Sequence, residues 1–266
     1  MPLVSIVTIC RSNPNELRRT LASLSSRPHD GFEVVVVDGS PDNGCHSVIE
    51  EFSDRVSIYV HEADSGIYDA MNKGVRAATG LSVIMVNSGD VLHDASIFAA
   101  SVVDHAAHLS RCVLYGDCFW LIGDTLVHKP APLAIGAEEI RKGHFPSHQS
   151  ILIPRAFLLN NAYNDGLRFS ADTQLLAHAF RELPQIRLPI TVSVFAFGGV
   201  SSSAASWKAA IALYREAISV RRLTTTEKVR FGAHLLVRRL IHMAVGQDGL
   251  ENIQAAQAIR RSRSIS

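Results

Sequence analysis

Only four cysteines occur among 266 residues, at positions 10, 45, 112 and 118. They form no CxxC pair and no cluster with zinc-ligand spacing, so they read as reduced thiols of a cytosolic protein rather than a disulfide frame or a zinc site. Long apolar runs are missing as well. No uninterrupted stretch approaches the ~20 apolar residues of a membrane-spanning helix. After Met1 there is no basic region, apolar core and small-residue cleavage site in succession, so no signal peptide is expected. Charge of one sign is absent too: 26 Lys and Arg face 25 Asp and Glu, a net +1, which leaves no global field to attract nucleic acid. Two phosphate-binding signatures are also lacking. The turn after the first strand-like segment reads Cys10-Arg11-Ser12-Asn13 in place of a GxGxxG, and no GxxxxGK[ST] occurs. These absences argue against NAD or FAD and against a P-loop nucleotide site.

With 47% hydrophobic and 19% charged residues, the chain has material for a sizeable core. Four short apolar runs, Val4–Ile9, Glu33–Val37, Val56–Val60 and Leu81–Val86, read as buried strands. Helical spacing separates them. Asn13-Pro14-Asn15-Glu16 supplies a cap, a first-turn proline and a capping-box glutamate, and Leu17, Leu21 and Leu24 then share a face. Cys45, Val48, Ile49 and Phe52 make a second helix face, and Ile67, Ala70, Met71, Gly74, Val75 and Ala78 a third. Such alternation predicts a mostly parallel sheet with right-handed crossovers. Beyond residue 90 the expected elements are a helix over 97–107, a strand near 113–115 and a hairpin turning at Gly123-Asp124. A strand at 150–153, a helix over 171–182, a strand at 186–196 and helices from 204 onward complete the reading.

Three aspartates close strands of one sheet. Asp38 ends Val36-Val37-Asp38, Asp64 opens Asp64-Ser65-Gly66, and Asp90 ends the turn Asn87-Ser88-Gly89-Asp90. In open α/β sheets, ligands bind at the carboxyl ends of the strands. Three carboxylates gathered there repel unless a cation or hydrogen-bond donors intervene, and a divalent cation held by a carboxylate and substrate phosphates resolves that conflict. The plainer alternative for Asp90 is a helix cap.

The order of short motifs resembles a family 2 glycosyltransferase of the GT-A fold, close to bacterial enzymes of exopolysaccharide and glycolipid assembly. The matching residues are Val4-Ser5-Ile6-Val7-Thr8, Val37-Asp38-Gly39-Ser40, the string Asp64 through Gly74 and Asn87-Ser88-Gly89-Asp90. Tyr115-Gly116-Asp117, His148-Gln149-Ser150, Phe169-Ser170-Ala171-Asp172 and Gly198-Gly199-Val200-Ser201 follow in the family's order. The Asp64–Gly74 string is the most specific.

The resemblance implies an α/β GT-A domain over 1–203, a mixed sheet flanked by helices, and a helical C-terminal extension over 204–266. It implies that Asp38 contacts the nucleoside and Asp64 the base or ribose side of the donor, with Asn72 and Lys73 shaping the diphosphate side. Asp90 takes the place of the metal-binding aspartate for Mn²⁺ or Mg²⁺. Asn87 stands where the motif has its first acidic residue, so one carboxylate fewer is present. Asp172 matches the catalytic base, His148 and Gln149 shape the site, and Asp117 borders the acceptor pocket. The implied reaction is inverting transfer of a sugar from a nucleoside diphosphate to a hydroxyl of a lipid-linked or polysaccharide acceptor. A GT-A-shaped sugar-nucleotide-binding or partner subunit with weak activity is the alternative. Basic and apolar residues mix over 226–245 (Lys228, Arg230, Phe231, Leu235, Arg238 and Arg239 among them), a pattern that suits either an anionic membrane surface or packing on the catalytic domain. The expected location is therefore the cytoplasm or the inner face of the membrane, with no nucleic-acid partner.

Overall fold

The computed structural model describes residues 1–24, 31–196 and 206–263. Its first third alternates as the periodicity predicts: β1 (Val4–Cys10), α1 (Pro14–Ser23), β2 (Phe32–Asp38), α2 (His46–Glu51), β3 (Ile58–His61), α3 (Ile67–Ala77) and β4 (Ser82–Met85). β1 pairs in parallel with β2 and β4, and β2 with β3. All seven residues of β1 are buried, as expected for a parallel strand covered on both faces. Alternate residues feed two cores. Val7, Val35 and Met85 meet Met71 and Val75 of α3 on one side, while Ile6, Val36 and Ile84 meet Leu17 and Leu21 of α1 on the other. Gly74 sets how closely α3 lies on the sheet, since a Cβ there would fall 2.3 Å from Val7 Cγ1.

Next come β5 (Val91–Leu92), α4 (Ala95–Asp104), β6 (Val113–Ile122), β7 (Thr125–Lys129), α5 (Ala137–Lys142), β8 (Ile151–Pro154), α6 (Arg155–Asn160), α7 (Ala171–Glu182) and β9 (Gln185–Ala196). β8 joins the parallel half antiparallel to β4, and the sheet runs β3-β2-β1-β4-β8-β6-β9-β5 with β7 hairpinned on β6. The sheet is mixed, as expected. The hairpin turns at Gly123 with φ 57°. β5, α5 and α6 were not anticipated: β5 has only two residues, and α5 and α6 each bury a single hydrophobic residue, Ile140 and Leu158, which leaves no period to read.

Two caps differ from expectation. Asn13 makes no side-chain cap bond to α1; its Oδ1 accepts from the Arg11 amide at 3.1 Å and its Nδ2 donates to Glu16 at 2.6 Å. The cap of α4 is Asp94, whose Oδ1 accepts from the Ser96 and Ile97 amides. Asp90 is thereby released from that duty.

The C-terminal region is helical: α8 (Trp207–Val220) and α9 (Thr225–Arg263), the latter broken at Gly246, where φ is 73°. Tyr214 stacks on Phe231 between them, and Arg141 of α5 grips Glu227 of α9 bidentately at 2.7 and 2.9 Å. The expected boundary at 203/204 and the Gly198–Ser201 motif lie outside the described residues. Among the described residues, no helix is long and apolar enough to cross a membrane.

Candidate active site

At the carboxyl ends of β1 and β4, a cavity of about 780 Å³ opens between the sheet edge, the start of α3 and the start of α7. Asp64, Asn87, Asp90, His148, Gln149 and Asp172 all line it. Six of the ten residues singled out from the sequence therefore share one space.

The sheet-edge wall is built from close backbone approach. A Cβ on Gly39 would lie 1.5 Å from Asp64 Oδ2, so any other residue there would force that carboxylate to shift. Asp64 is 5% exposed at its side chain and faces the Arg11 guanidinium at 3.5 Å. Between Arg11 and Asn13 the chain takes an uncommon left-handed turn at Ser12, φ 53°, held by the Ser12 amide donating to Ser40 Oγ at 2.8 Å. Non-glycine residues in this region are strained and concentrate at functional sites.

The turn after β4 is the next wall. Asp90 Oδ2 accepts from Gln149 Nε2 and Oδ1 from the Ala196 amide, each at 2.9 Å. Burial pushes the Asp90 carboxyl up to about 7, against the pull of those two donors. Asn87 Oδ1 and Ser88 Oγ are buried on the same turn without a hydrogen-bond partner among the described residues. Orphaned polar atoms in a cavity wall mark a place built for a polar guest. Asn87 Oδ1 and the Asp90 carboxylate form the kind of hard-oxygen donor set that Mg²⁺ or Mn²⁺ takes, with phosphates and water completing the shell, so the residues present fit such an ion.

Across the cavity, Asp172 sits in the first turn of α7, where the helix dipole favours an anion. Its Oδ1 accepts from the Thr173 amide at 2.6 Å and from Tyr68 Oη at 3.3 Å. Burial and then the charge of Asp172 push the Tyr68 phenol up, so it stays a donor at neutral pH. His148 Nε2 meets Tyr163 Oη at 2.8 Å. Burial pushes the His148 imidazole down despite the nearby Asp172 charge.

The family model described as Glycosyl transferase family 2 matches residues 5–168, well over half of the chain. The chain belongs to this glycosyltransferase family. Among curated relatives, a PGL/p-HBAD biosynthesis glycosyltransferase of Mycobacterium bovis is 29% identical over 119 residues, covering 44% of this chain and 46% of that protein. The chain thus spans about half the length of that relative. An uncharacterized glycosyltransferase of Mycobacterium tuberculosis is 23% identical over 203 residues, 76% of this chain and 78% of its own. Solved structures share the GT-A fold. S. aureus TarS (residues 1–349, in complex with UDP-GlcNAc) superposes with a TM-score of 0.62 at 16% identity, over 92% of this chain and 73% of that one. The mannosyltransferase PcManGT from Pyrobaculum calidifontis, in complex with GDP-Man and Mn²⁺, gives 0.59 at 17%, over 100% and 76%.

Within this family 2 chain, four expected site residues stand away from the cavity wall. Asp38 is fully buried behind Cys10 and accepts from the Ser40 amide at 2.9 Å, from Ser40 Oγ and from Tyr59 Oη at 3.1 Å. Among the described residues, Cys10, Asp38 and Cys45 are also the three ligand-type groups within 4.8 Å of one another. Burial and then the Asp38 charge push the Cys10 thiol up, so Cys10 stays a neutral thiol in this buried group. Asn72 spends both side-chain atoms on the backbone of Tyr163, at 2.9 Å each way. Lys73 reaches Ala63 O at 2.5 Å and Glu62 at 3.0 Å, clamping the loop before α3. Asp117 accepts from Arg187 at 2.8 Å and from the Ala131 amide at 2.9 Å, and lies 3.2 Å from His128 Nε2, which ties β6 to its neighbours.

Other groups in and around the candidate site were not singled out from the sequence. Tyr68 lay inside the Asp64–Gly74 string and was legible there. Arg11 on the cavity wall and Tyr163, bonded to His148, carried no sequence signal, because their partners are brought close only by the fold.

Proposed function

We propose that the chain catalyses inverting transfer of a sugar from a nucleoside diphosphate to a hydroxyl, with Asp172 as the base. The observation that carries this is the opposition, across one cavity, of an aspartate in a helix first turn and the Asn87–Asp90 turn with its orphaned oxygens. Among the described residues, Tyr68 and the Thr173 amide both bond Asp172 through Oδ1, leaving Oδ2 to take the acceptor's proton as its oxygen attacks the anomeric carbon. Tyr68 and the Thr173 amide fix the carboxylate's orientation. Arg11 and Asp64 flank the nucleoside side. Asp90 and Asn87 would hold a divalent cation such as Mn²⁺ or Mg²⁺, which when bound would supply Lewis-acid stabilisation of the departing diphosphate. Support for a nucleotide-sugar donor comes from the UDP-GlcNAc and GDP-Man complexes of the structural neighbours.

The test uses UDP-GlcNAc and GDP-mannose with Mn²⁺, following release of UDP or GDP and the anomeric configuration of the product by NMR. Asp172→Asn is expected to lower turnover ~10²–10⁴-fold with donor affinity retained. Equal loss of affinity and turnover would make Asp172 a structural residue. Asn87 in place of a carboxylate favours a second reading, a GT-A-shaped binding subunit; nucleotide binding without any Mn²⁺-dependent turnover across the donor panel would establish it.

The acceptor is lipid-linked or saccharide, and 226–245 touches the membrane surface from the cytoplasmic side. Val229, Leu236, Val237, Leu240 and Met243 are exposed there beside Arg230, an apolar and basic combination that anionic lipid attracts. Liposome flotation of the full chain on phosphatidylglycerol vesicles checks this: a chain that stays at the bottom of the gradient contradicts it.

A further inference from the structure

The start of α7 lacks an ordinary cap. Ser170 occupies the cap position but makes no side-chain bond to the helix. The two residues before it, Arg168 and Phe169, both line the cavity and belong to an irregular stretch with no strand partner for their amides. Those amides are met from far along the chain. Glu216 of α8 accepts from Arg168 N through Oε1 at 3.0 Å and from Phe169 N through Oε2 at 2.8 Å. One carboxylate thus offers a separate oxygen to each of two successive backbone donors, an arrangement that a neutral amide with its single acceptor oxygen does not reproduce.

The C-terminal end of α8, just past Glu216, also reaches this corner. A Cβ on Gly143 would lie 2.9 Å from Arg221 Nε and 2.9 Å from Thr173 Cγ2, so the Arg221 side chain closes over the residue next to Asp172. Arg221 is held in turn by its position over the Phe231 ring, 5.6 Å from the centroid. The segment behind it is pinned by the Arg222 amide on Arg141 O at 3.2 Å and by the Arg141–Glu227 pair. The C-terminal helices therefore bracket Asp172 from both sides.

We propose that Glu216 is a positioning residue for Asp172, setting the entry angle of α7 and so the reach of the carboxylate into the cavity. The proposal rests on the reading of Asp172 as base. It makes α8 a working part of the catalytic unit, in addition to any contact α9 makes with a membrane. A charge-assisted bond to each amide holds the backbone where a misplacement on the order of 1 Å costs ~10²-fold in rate.

The experiment compares the full chain with its Glu216→Gln, Asp172→Asn and doubly substituted forms, using UDP-GlcNAc and GDP-mannose with Mn²⁺ and octyl glucoside as a generic acceptor. Glu216→Gln keeps one acceptor and turns an amide NH₂ toward the second N–H. The expected result is kcat down by about tenfold or more, donor affinity from calorimetry unchanged, and no further loss when the change is added to Asp172→Asn. Unchanged kcat, a joint fall in kcat and donor affinity, or losses that multiply in the double variant would overturn the proposal. Should Glu216→Gln fail to fold, Glu216→Asp keeps both oxygens but withdraws them by one methylene; it is expected to lower kcat alone, and a wild-type kcat in it is the overturning result. Full turnover by Asp172→Asn would instead sink the base reading itself. An inactive Asp172→Asn beside an unaffected Glu216→Gln would sink only the inference.

Discussion

The two walls of the cavity are held together by different means. The sheet-edge wall comes from consecutive turns after β1, β2 and β4, and parallel pairing brings those turns side by side. Its contacts are close backbone passages, Gly39 under Asp64 and the left-handed Ser12 on Ser40. The helical wall is gathered from distant parts of the chain. Tyr68 meets Asp172 across 104 residues, Asn72 meets Tyr163 across 91, and Glu216 meets Phe169 across 47. The first wall follows once the sheet forms, whereas the second depends on a few side-chain ties. α3 is the hinge of the comparison, since Tyr68 and Asn72 both tie it to the helical wall while its first turn borders the sheet edge. Changes to one wall should therefore leave the other's function intact.

The strongest break is expected at Gly39→Ala. The added methyl would stand 1.5 Å from Asp64 Oδ2, so Asp64 or the turn must move. Overpacking of this kind costs about 1–3 kcal/mol. If Asp64 faces the donor, affinity for UDP or GDP with Mn²⁺ should fall by roughly tenfold to a hundredfold, while Asp172 stays where it is. Calorimetric titration reads this directly, and an undiminished affinity would remove Asp64 from the donor site.

The mirror experiment is Tyr68→Phe, which touches only the helical wall. A hydrogen bond to a charged group is worth about 1.5 kcal/mol at the lower end, and the Tyr68–Asp172 bond is long at 3.3 Å. Turnover should fall by up to about tenfold with donor affinity unchanged. A variant that loses donor affinity instead would show that the walls are coupled through α3.

The same contrast explains what could be read from the sequence. The parallel half of the sheet was legible because each strand is a short apolar run closed by a polar turn, and because α1 and α3 carry one buried face. Asp64, Asn87, Asp90 and Asp172 were placed on one cavity by motifs that end strands or start helices. Asp38 and Asn72 were harder, since a motif gives a position in the chain but not the direction of a side chain. Tyr59, Ser40 and the Tyr163 backbone captured them. Lys73 and Asp117 went the same way, to charged and backbone partners nearby. Glu216 was invisible for a related reason. Nothing about a glutamate in an amphipathic helix announces that two amides 47 and 48 residues earlier lack acceptors.

The smallest effect expected is also the one that probes the junction of the walls. Asp90 belongs to the sheet edge, yet its oxygens are held by Gln149 and Ala196 from the far half of the sheet. Burial pushes its carboxyl up to about 7, whereas an unfolded Asp titrates near ~3.9. Between those values the folded chain holds a proton that the unfolded chain has lost. The contribution of Asp90 to stability is therefore full below ~3.9 and declines as pH rises to about 7, beyond which it stays at its minimum. Asp90→Asn removes this dependence and keeps the network, because the Gln149 amide can turn to accept from the new NH₂. In EDTA, its melting temperature should gain on the wild type from pH 4 to about 7 and then hold a constant lead. Added Mn²⁺ should narrow the lead, since a cation that binds only the folded wild type stabilises it by mass action. A lead that ignores Mn²⁺ would leave Asp90 a buried link between the walls with no ion to hold, and a lead that ignores pH would mean that the carboxylate is already ionised at acid pH.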